Sequence, residues 1–186
     1  FQNTIPLVVY KTPTQNCENS HPIDGRAGIL RLTQDGYPVL YPNGSGLIGY
    51  KYPLNAYFAY GMRNSFGIDF DPVTGNLWDT ENGPDYGDEI NLVEAGFNSG
   101  WKKIHGIWYV DGTLAKTGIA SAAPKDLVDF VNRGTYSSPE LTWDLSVAPT
   151  ALKFLDTEKL GSEYKNNILV GDINLGNIYY FKLNQD

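Results

Sequence analysis

The sequence predicts an all-β protein and, within that class, part of a β-propeller. Glycine (20 residues) and proline (11 residues) are frequent, and they stand with Asn and Asp in clusters typical of turns between short strands. Two blocks, at 67–93 and 151–183, each have the pattern of three consecutive antiparallel strands. Sheet-like units repeated along a chain are typical of β-propellers, whereas a β-sandwich built from the same short strands is the alternative.

The first 60 residues contain three predicted strands. A β-like run, IPLVVY, occupies 5–10, and the polar stretch at 11–25 has no periodicity and is predicted to be a loop. The segment RAGILRLTQDGYP alternates as a strand does and reaches a hairpin signal at Asp35-Gly36. A turn at YPNGSG and a strand at 55–60, NAYFAY, follow.

The most regular pattern lies at 65–96. The segment SFGIDFDPVTGNLWDTENG indicates strand, turn and strand, and DEINLVEAG adds a third strand that ends at Gly96. The turn, DPVTGN, has proline at an early position and closes on glycine, where a positive φ is expected. From residue 143 onward the pattern of strand, longer turn, strand, turn and strand returns.

The intervening residues, 102–142, are predicted to be a loop and helix excursion from the main fold. Within KDLVDFVN, residues 125–132, three apolar residues share one side at helical spacing: Leu127, Val128 and Val131. We expect 1–186 to belong to one propeller domain that this excursion interrupts. A closed propeller needs at least four blades of about 40 to 50 residues, so the chain has room for about three or four blades and is expected to be part of a propeller.

Bulk properties exclude several classes of function. The net charge of −7 argues against binding to a nucleic-acid backbone, which requires clustered Lys and Arg. No apolar run approaches the roughly 20 residues that span a bilayer as a helix. The single cysteine, Cys17, permits no disulfide bond within the chain. The composition therefore fits a protein that handles a neutral substrate or a cation.

One short stretch, ENGPDYGDEIN at 81–91, concentrates negative charge. Its four carboxylates crowd around a Gly-Pro step: Glu81, Asp85, Asp88 and Glu89. Either a cation or a fixed set of backbone contacts is needed to hold like charges so close together. For Asp88 and Glu89 two interpretations stay open. They act at longer range on a bound cation, or they cap a turn or pair with Lys102 and Lys103.

Four spaced motifs lie between residues 61 and 101. They are G-x-R-N-x-x-G at 61–67, E-N-G-P at 81–84, D-E-I-N at 88–91 and G-x-N-x-G-W at 96–101. In this order they resemble the central signature of the glucose/sorbosone dehydrogenase family. The members of that family are soluble aldose dehydrogenases that depend on pyrroloquinoline quinone (PQQ) and fold as six-bladed β-propellers. The resemblance implies the same fold and cofactor here.

Two residues of the first motif are implied to contact the cofactor. Arg63 and Asn64 fall where the family contacts PQQ, which has three carboxylates and two carbonyl oxygens. A guanidinium group offers paired N–H donors to such oxygens, and an Asn amide adds another donor. The alternative for Arg63 is a buried ion pair with Asp69 or Asp71.

Further contacts are implied by the later motifs. Gly83 and Pro84 match the positions whose backbone carbonyls ligate the Ca²⁺ that sits on PQQ, and proline suits this role because it has no N–H. Ser146 falls where the family places a hydroxyl near the cofactor, with an ordinary turn hydrogen bond as the alternative. Asn174 falls roughly where the family has a cofactor-contacting lysine, and its amide donates without carrying charge.

The sequence departs from the family at the catalytic base. That base is a histidine in an earlier blade, whereas the histidines of this chain, His21 and His105, occupy other positions. We therefore expect the base to lie before residue 1, and no catalytic residue is assigned to the chain. Phe66 also stands where some members have a polar cofactor contact.

The resemblance implies a portion of a PQQ- and calcium-dependent aldose dehydrogenase. Such an enzyme oxidises the C1 hydroxyl of a sugar to a lactone, passes electrons to an external acceptor and is periplasmic or extracellular. The alternative is a non-enzymatic β-propeller that binds carbohydrate or protein and holds a structural calcium ion. A stand-alone β-sandwich that binds carbohydrate is a third interpretation.

Overall fold

Strands dominate the protein. The computed structural model describes residues 6–9 and 27–184, and in these residues every regular element is a strand except a short 3-10 helix at Ser162–Tyr164. The strands are β1 (Pro6–Val9), β2 (Gly28–Arg31), β3 (Tyr57–Tyr60), β4 (Ser65–Phe70), β5 (Leu77–Glu81), β6 (Asp88–Val93), β7 (Phe97–Asn98), β8 (Ile104–His105), β9 (Trp108–Val110), β10 (Lys116–Ile119), β11 (Thr135–Tyr136), β12 (Leu141–Trp143), β13 (Pro149–Phe154), β14 (Ile168–Asp172) and β15 (Ile178–Phe181). The all-β prediction is confirmed. The predicted loop at 11–25, with Cys17 and His21, lies outside the described residues.

The described strands form four sheets, whose strands partly interleave along the chain. Their strand orders are β1-β2-β3-β7-β11, β10-β9-β8, β12-β6-β5-β4 and β13-β14-β15. The two blocks that the sequence pairs as a repeat, β4 to β6 and β13 to β15, are both antiparallel three-strand units. β12 adds a fourth antiparallel strand beside β6, so the third sheet has the four strands typical of a propeller blade.

The turn between β4 and β5 forms as the sequence predicts. The carboxylate of Asp71 accepts the amide of Val73 at 2.8 Å and the hydroxyl of Thr74 at 2.7 Å. Gly75 has a φ of 75°, a conformation that glycine adopts without a Cβ penalty. This local bonding closes the turn and fixes the register in which β4 and β5 pair.

The prediction of a helix at 125–132 is wrong. These residues form turns, and residues 130–132 have positive φ values of 49°, 62° and 60°. The carbonyl of Val128 accepts the hydroxyl of Tyr60, and the carboxylate of Asp129 binds an amide two residues later. These bonds use groups that a helix would pair internally, so the segment stays an irregular loop. Val128 and Phe130 pack onto the β2–β3 region, whereas Val131 is exposed.

The sheet β12-β6-β5-β4, hereafter the central sheet, is covered on both faces. One face packs onto β13 and β14 through Ile90, Leu152, Phe154, Ile168 and Val170, all buried. The other apolar cluster joins Leu77 and Val93 to residues of β2, β3 and β7. A sheet with neighbours packed on both faces is arranged as a blade inside a propeller. No helix of the described chain is long and apolar enough to cross a membrane.

Polar contacts also join the central sheet to β13. The hydroxyl of Thr80 donates to the carbonyl of Thr150 at 2.8 Å and accepts the amide of Gly67 at 2.9 Å. The carboxylate of Asp69 accepts the amide of Phe154 at 2.9 Å. These bonds hold the two backbones so close that a Cβ added to Gly67 would lie 2.4 Å from the carbonyl oxygen of Thr150.

We expect Gly67→Ala to lower the free energy of unfolding by about 1–3 kcal/mol, the usual cost of overpacking a close contact. Gly118→Ala is the matched control, because a Cβ at that position meets nothing within 4 Å and its φ is not in the left-handed region. Urea unfolding of both variants measures the difference. Equal stabilities for the two variants would contradict the close approach of β4 and β13.

Candidate functional site

An open hollow of about 630 Å³ lies at one end of the central sheet and of β13 to β15. It forms where β5, β12 and β14 end and where β4, β6 and β13 begin. All six residues singled out in the sequence line it: Arg63, Asn64, Gly83, Pro84, Ser146 and Asn174. The four other lining residues are Asn82, Asp85, Leu145 and Ala148, of which the sequence singled out Asp85 only as part of the acidic stretch. The strand order thus gathers four separate chain segments around one space.

Arg63 forms part of the floor of the hollow. Its Nη1 atom donates to the carbonyl of Asn82 at 2.6 Å, and its guanidinium carbon lies 5.4 Å from the centre of the Trp101 ring. The backbone amide of Arg63 donates to the carboxylate of Glu81. Burial lowers the pKa of Arg63, and the negative charges of Glu81 and Asp88 oppose that shift. Arginine stays protonated at any physiological pH, so the hollow has a fixed positive charge.

The ion pair with Asp69 or Asp71, the alternative interpretation of Arg63, does not form. Asp69 instead pairs with Lys153 at 2.7 Å, and Asp71 closes the turn after β4. Arg63 instead lines the hollow, and its guanidinium group donates to the Asn82 carbonyl.

Residues 83–86 form a tight loop at the edge of the hollow. The amide of Gly83 donates to the carboxylate of Asp88 at 2.7 Å. A Cβ at Gly83 would lie 1.7 Å from the carbonyl oxygen of Tyr86, so no other residue fits there. Pro84 follows and has no N–H that competes for acceptors. The loop thus brings residues 83–85 to the edge of the hollow.

Ser146 and Asn174 belong to the opposite wall. The hydroxyl of Ser146 donates to the carboxylate of Asp88 at 2.9 Å, and the amides of Val147 and Ala148 donate to it at 2.7 Å each. The side-chain amide of Asn174 donates to the carbonyl of Ser146 at 3.0 Å. Asp88 is therefore in contact with both walls.

The alternatives that the sequence left open for the acidic stretch are resolved in part. Asp88 binds backbone amides, as a turn-capping carboxylate does, and Glu89 accepts the amide of Gly106. The pairing with lysines is wrong, since Lys103 pairs with Asp126 and no ion pair of Lys102 with Asp88 or Glu89 occurs in the described residues. Backbone contacts therefore hold the loop.

A buried cluster that the sequence did not reveal lies beneath Arg63. Glu81 faces Glu89 in the β5–β6 register, and the imidazole Nδ1 of His105 lies 3.4 Å from Glu89 Oε1 and 4.0 Å from Glu81 Oε1. Both ring nitrogens of His105 lack a hydrogen-bond partner within the described chain. One ligand atom from each side chain lies within 4.8 Å of the others, so this donor set could hold a metal ion. Glu81 and Glu89 lie opposite each other because β5 and β6 pair as a hairpin. No local sequence pattern identifies His105 as the third member of the cluster.

Burial sets the protonation of this cluster in the metal-free protein. It raises the pKa of Glu81 to about 8 and the pKa of Glu89 well above its usual value. It lowers the pKa of His105 to about 3. Near neutral pH the Glu81 carboxyl is therefore largely protonated and the imidazole is neutral, which limits the buried charge.

A pH dependence of stability follows from these shifts. Because the pKa of Glu81 rises from 4.5 to about 8 on folding, its contribution is present below pH 4.5 and is lost as the pH rises toward 8. In metal-free buffer we expect Glu81→Gln to flatten the fall in unfolding free energy between pH 5 and 8 by up to about 1.4 kcal/mol per pH unit. Urea unfolding at several pH values measures the slope, with the exposed Glu94→Gln as control. An unchanged slope in Glu81→Gln would refute a protonated Glu81.

Comparison with known proteins shows the family to which the chain belongs. The sequence model of the glucose/sorbosone dehydrogenase family matches residues 11–186. Quinoprotein glucose dehydrogenase B of Acinetobacter calcoaceticus is 34% identical over 134 residues, which are 70% of this chain and 26% of that protein. Aldose sugar dehydrogenase YliI of Escherichia coli strain K12 is 26% identical over 160 residues, 85% of this chain and 39% of that protein. The chain thus spans well under half the length of these relatives.

Solved structures show the same fold. A crystal structure of a glucose dehydrogenase superposes with a TM-score of 0.65 at 22% identity and covers 86% of this chain and 42% of its own. The PQQ-bound aldose sugar dehydrogenase of Streptomyces coelicolor gives a TM-score of 0.56 at 21% identity, over 86% of this chain and 36% of its own. These likenesses show that the four sheets are part of a β-propeller. The chain belongs to the glucose/sorbosone dehydrogenase family.

Proposed function

We propose that the hollow is one wall of the cofactor site of a PQQ- and Ca²⁺-dependent aldose dehydrogenase that converts a sugar to its lactone. The family consists of PQQ-dependent aldose and glucose dehydrogenases. The observation that carries the proposal is that six residues from separate segments, chosen on the sequence alone, line a single hollow. In this proposal the protein acts outside the cytoplasm and passes electrons to an external acceptor.

The donors around the hollow fit a multiply charged quinone. Arg63 supplies a fixed positive charge, and Asn64 and Asn174 supply side-chain amides. The hydroxyl oxygen of Ser146, whose hydrogen is donated to Asp88, remains an acceptor. A planar cofactor with three carboxylates needs donors of this kind, and a guanidinium group can meet a carboxylate with two parallel bonds. Among the lining residues only Asp85 carries negative charge, and it is exposed.

The loop at 83–86 fits a calcium ion. Calcium takes six to eight oxygen ligands, many of them peptide carbonyls. The loop is held in shape by the Asp88 bond to Gly83 and by the space that only glycine leaves beside Tyr86. Gly83 and Pro84 would supply the carbonyl ligands, and the nearby carboxylates would lower the cost of a divalent charge.

In this proposal the groups of this chain bind and orient the cofactor and its cation. When bound, the quinone and its calcium ion supply the oxidation of the sugar at C1. Arg63 and the neutral donors fix the orientation of the cofactor, and the Gly83–Pro84 loop holds the cation. His105 is fully buried against Glu81 and Glu89 and does not line the hollow, so no proton transfer is assigned to it.

Reconstitution tests the proposed function. The protein, produced at its native full length and stripped with EDTA, is mixed with PQQ and Ca²⁺ and then with an aldose and a redox dye. Dye reduction that requires both PQQ and Ca²⁺ is the expected result. Absence of dye reduction together with absence of PQQ absorbance on the protein would overturn the proposal and favour the non-enzymatic propeller.

Arg63→Ala is expected to weaken PQQ binding by about tenfold to a hundredfold, because a charge-assisted contact is worth about 1.5–3 kcal/mol. Quenching of tryptophan fluorescence during titration of the metal-loaded apoprotein with PQQ measures the affinity. Lys103→Ala is the control, because that cation is exposed and pairs with Asp126 away from the hollow. Equal affinities for the two variants would exclude Arg63 as a cofactor contact.

A further inference from the structure

We propose that Asp88 is the positioning residue of the site. It holds the two walls of the hollow in place and sets Arg63 without touching the cofactor or the cation. This inference rests on the proposed function. Its starting point is that the Asp88 side chain is fully buried, although it has no ion-pair partner in the described part of the chain.

The charge of Asp88 is balanced by hydrogen-bond donors from both walls. Oδ1 accepts the amide of Gly83 at 2.7 Å, and Oδ2 accepts the amides of Val147 and Ala148 at 2.7 Å each. The hydroxyl of Ser146 lies 2.9 Å from Oδ2 and 3.2 Å from Oδ1. Backbone amides that converge on one anion stabilise it as a counter-ion would. Since all four donors depend on one side chain, the walls cannot shift independently while it is in place.

The same donors leave Asp88 little room to ligate a metal. Oδ2 accepts two amides and the Ser146 hydroxyl, and Oδ1 accepts the Gly83 amide and lies 3.2 Å from the same hydroxyl. A cation at Oδ2 would have to displace one of these donors and leave it unpaired in a buried position, at considerable cost. Asp88 therefore acts through the groups that it holds.

The bond from Gly83 to Asp88 also reaches Arg63 through one peptide unit. The peptide between Asn82 and Gly83 is not among the cis bonds, so its N–H and C=O point in opposite directions. Its N–H donates to Asp88 and its C=O accepts Nη1 of Arg63 at 2.6 Å. Hydrogen bonds on both sides therefore fix the orientation of this peptide plane. Hydrogen bonds in such a chain polarise one another, so loss of Asp88 weakens the hold on the guanidinium group.

A second link between the walls is independent of the Asp88 side chain. The backbone amide of Ser146 donates to the carbonyl of Asp85 at 3.3 Å. Removal of the Asp88 carboxylate is therefore expected to loosen the walls rather than to separate them. Asp88→Asn is the suitable variant, because it keeps the size of the side chain and turns one acceptor into a donor that faces other donors.

A double-mutant cycle on the native-length protein tests the inference. With saturating Ca²⁺, we expect Asp88→Asn alone to weaken PQQ binding about tenfold or more. Combined with Arg63→Ala, it is expected to weaken binding by clearly less than the product of the two single effects, because both changes break one chain of contacts. A general loss of stability would give independent, multiplicative effects.

Asp69→Asn is the matched control. Asp69 also accepts a backbone amide, that of Phe154, and joins β4 to β13, but it does not line the hollow. We expect the PQQ affinity of Asp69→Asn to stay within about twofold of the wild type. In the double variant, the effects of Asp69→Asn and Arg63→Ala on PQQ affinity should multiply, as they do for distant sites. An affinity of Asp88→Asn within twofold of the wild type, or a fully multiplicative cycle, would overturn the inference.

Amide hydrogen exchange on the wild-type protein serves as the second measurement if Asp88→Asn does not fold. Without PQQ or Ca²⁺, the amides of Gly83, Val147 and Ala148 should exchange at least about a hundredfold more slowly than exposed loop amides, because Asp88 holds them. Exchange at the loop rate would refute the positioning role. If the wild-type protein binds no PQQ, the proposed function fails, and the protection of these amides still decides whether Asp88 fixes the walls.

Discussion

The site depends on one buried carboxylate that is surrounded by backbone amides. Asp88 accepts hydrogen bonds from the Gly83 loop and from residues 146–148, and these segments are the opposite walls of the hollow. An unpaired charge at a buried position costs several kcal/mol, so the fold is constrained to bring these donors together. The crowding of acidic residues at 81–91 is therefore supported by backbone contacts, and a cation is not needed to explain Asp88.

The propeller geometry is what makes this arrangement possible. The central sheet packs against β13 and β14 on one face and against the β2, β3 and β7 region on the other. Because β5 ends and β13 begins at the same edge, their loops meet without a long connection. Thr80 and Gly67 hold that edge at a fixed separation from Thr150. Packing of apolar faces thus sets the distance between the two walls of the hollow that the hydrogen bonds of Asp88 join.

Much of the fold and of the hollow could be predicted from the sequence, and the exceptions have physical reasons. Alternating apolar residues and turn signals located β4, β5 and β6 of the central sheet but not β12, and motif resemblance located six of the ten lining residues. The helix predicted at 125–132 does not form because the hydroxyl of Tyr60, which is distant in sequence, donates to the Val128 carbonyl. A helix would pair that carbonyl internally. His105 was missed because its neighbours Glu81 and Glu89 approach it only through strand pairing and a later loop. The hydrogen bond that Asp88 accepts from the amide of Ala148 likewise joins residues about 60 positions apart.

The central claim is that the hollow beside Arg63 holds the quinone and that the Gly83–Pro84 loop holds its cation. A crystal structure of the native-length protein grown with PQQ and Ca²⁺ tests it most directly. We expect planar cofactor density against the Arg63 guanidinium group, a cation on the peptide oxygens of residues 83 and 84, and an Asp88 carboxylate still bonded to its amides. Cofactor density elsewhere, or an Asp88 carboxylate that has turned to ligate the cation, would contradict it.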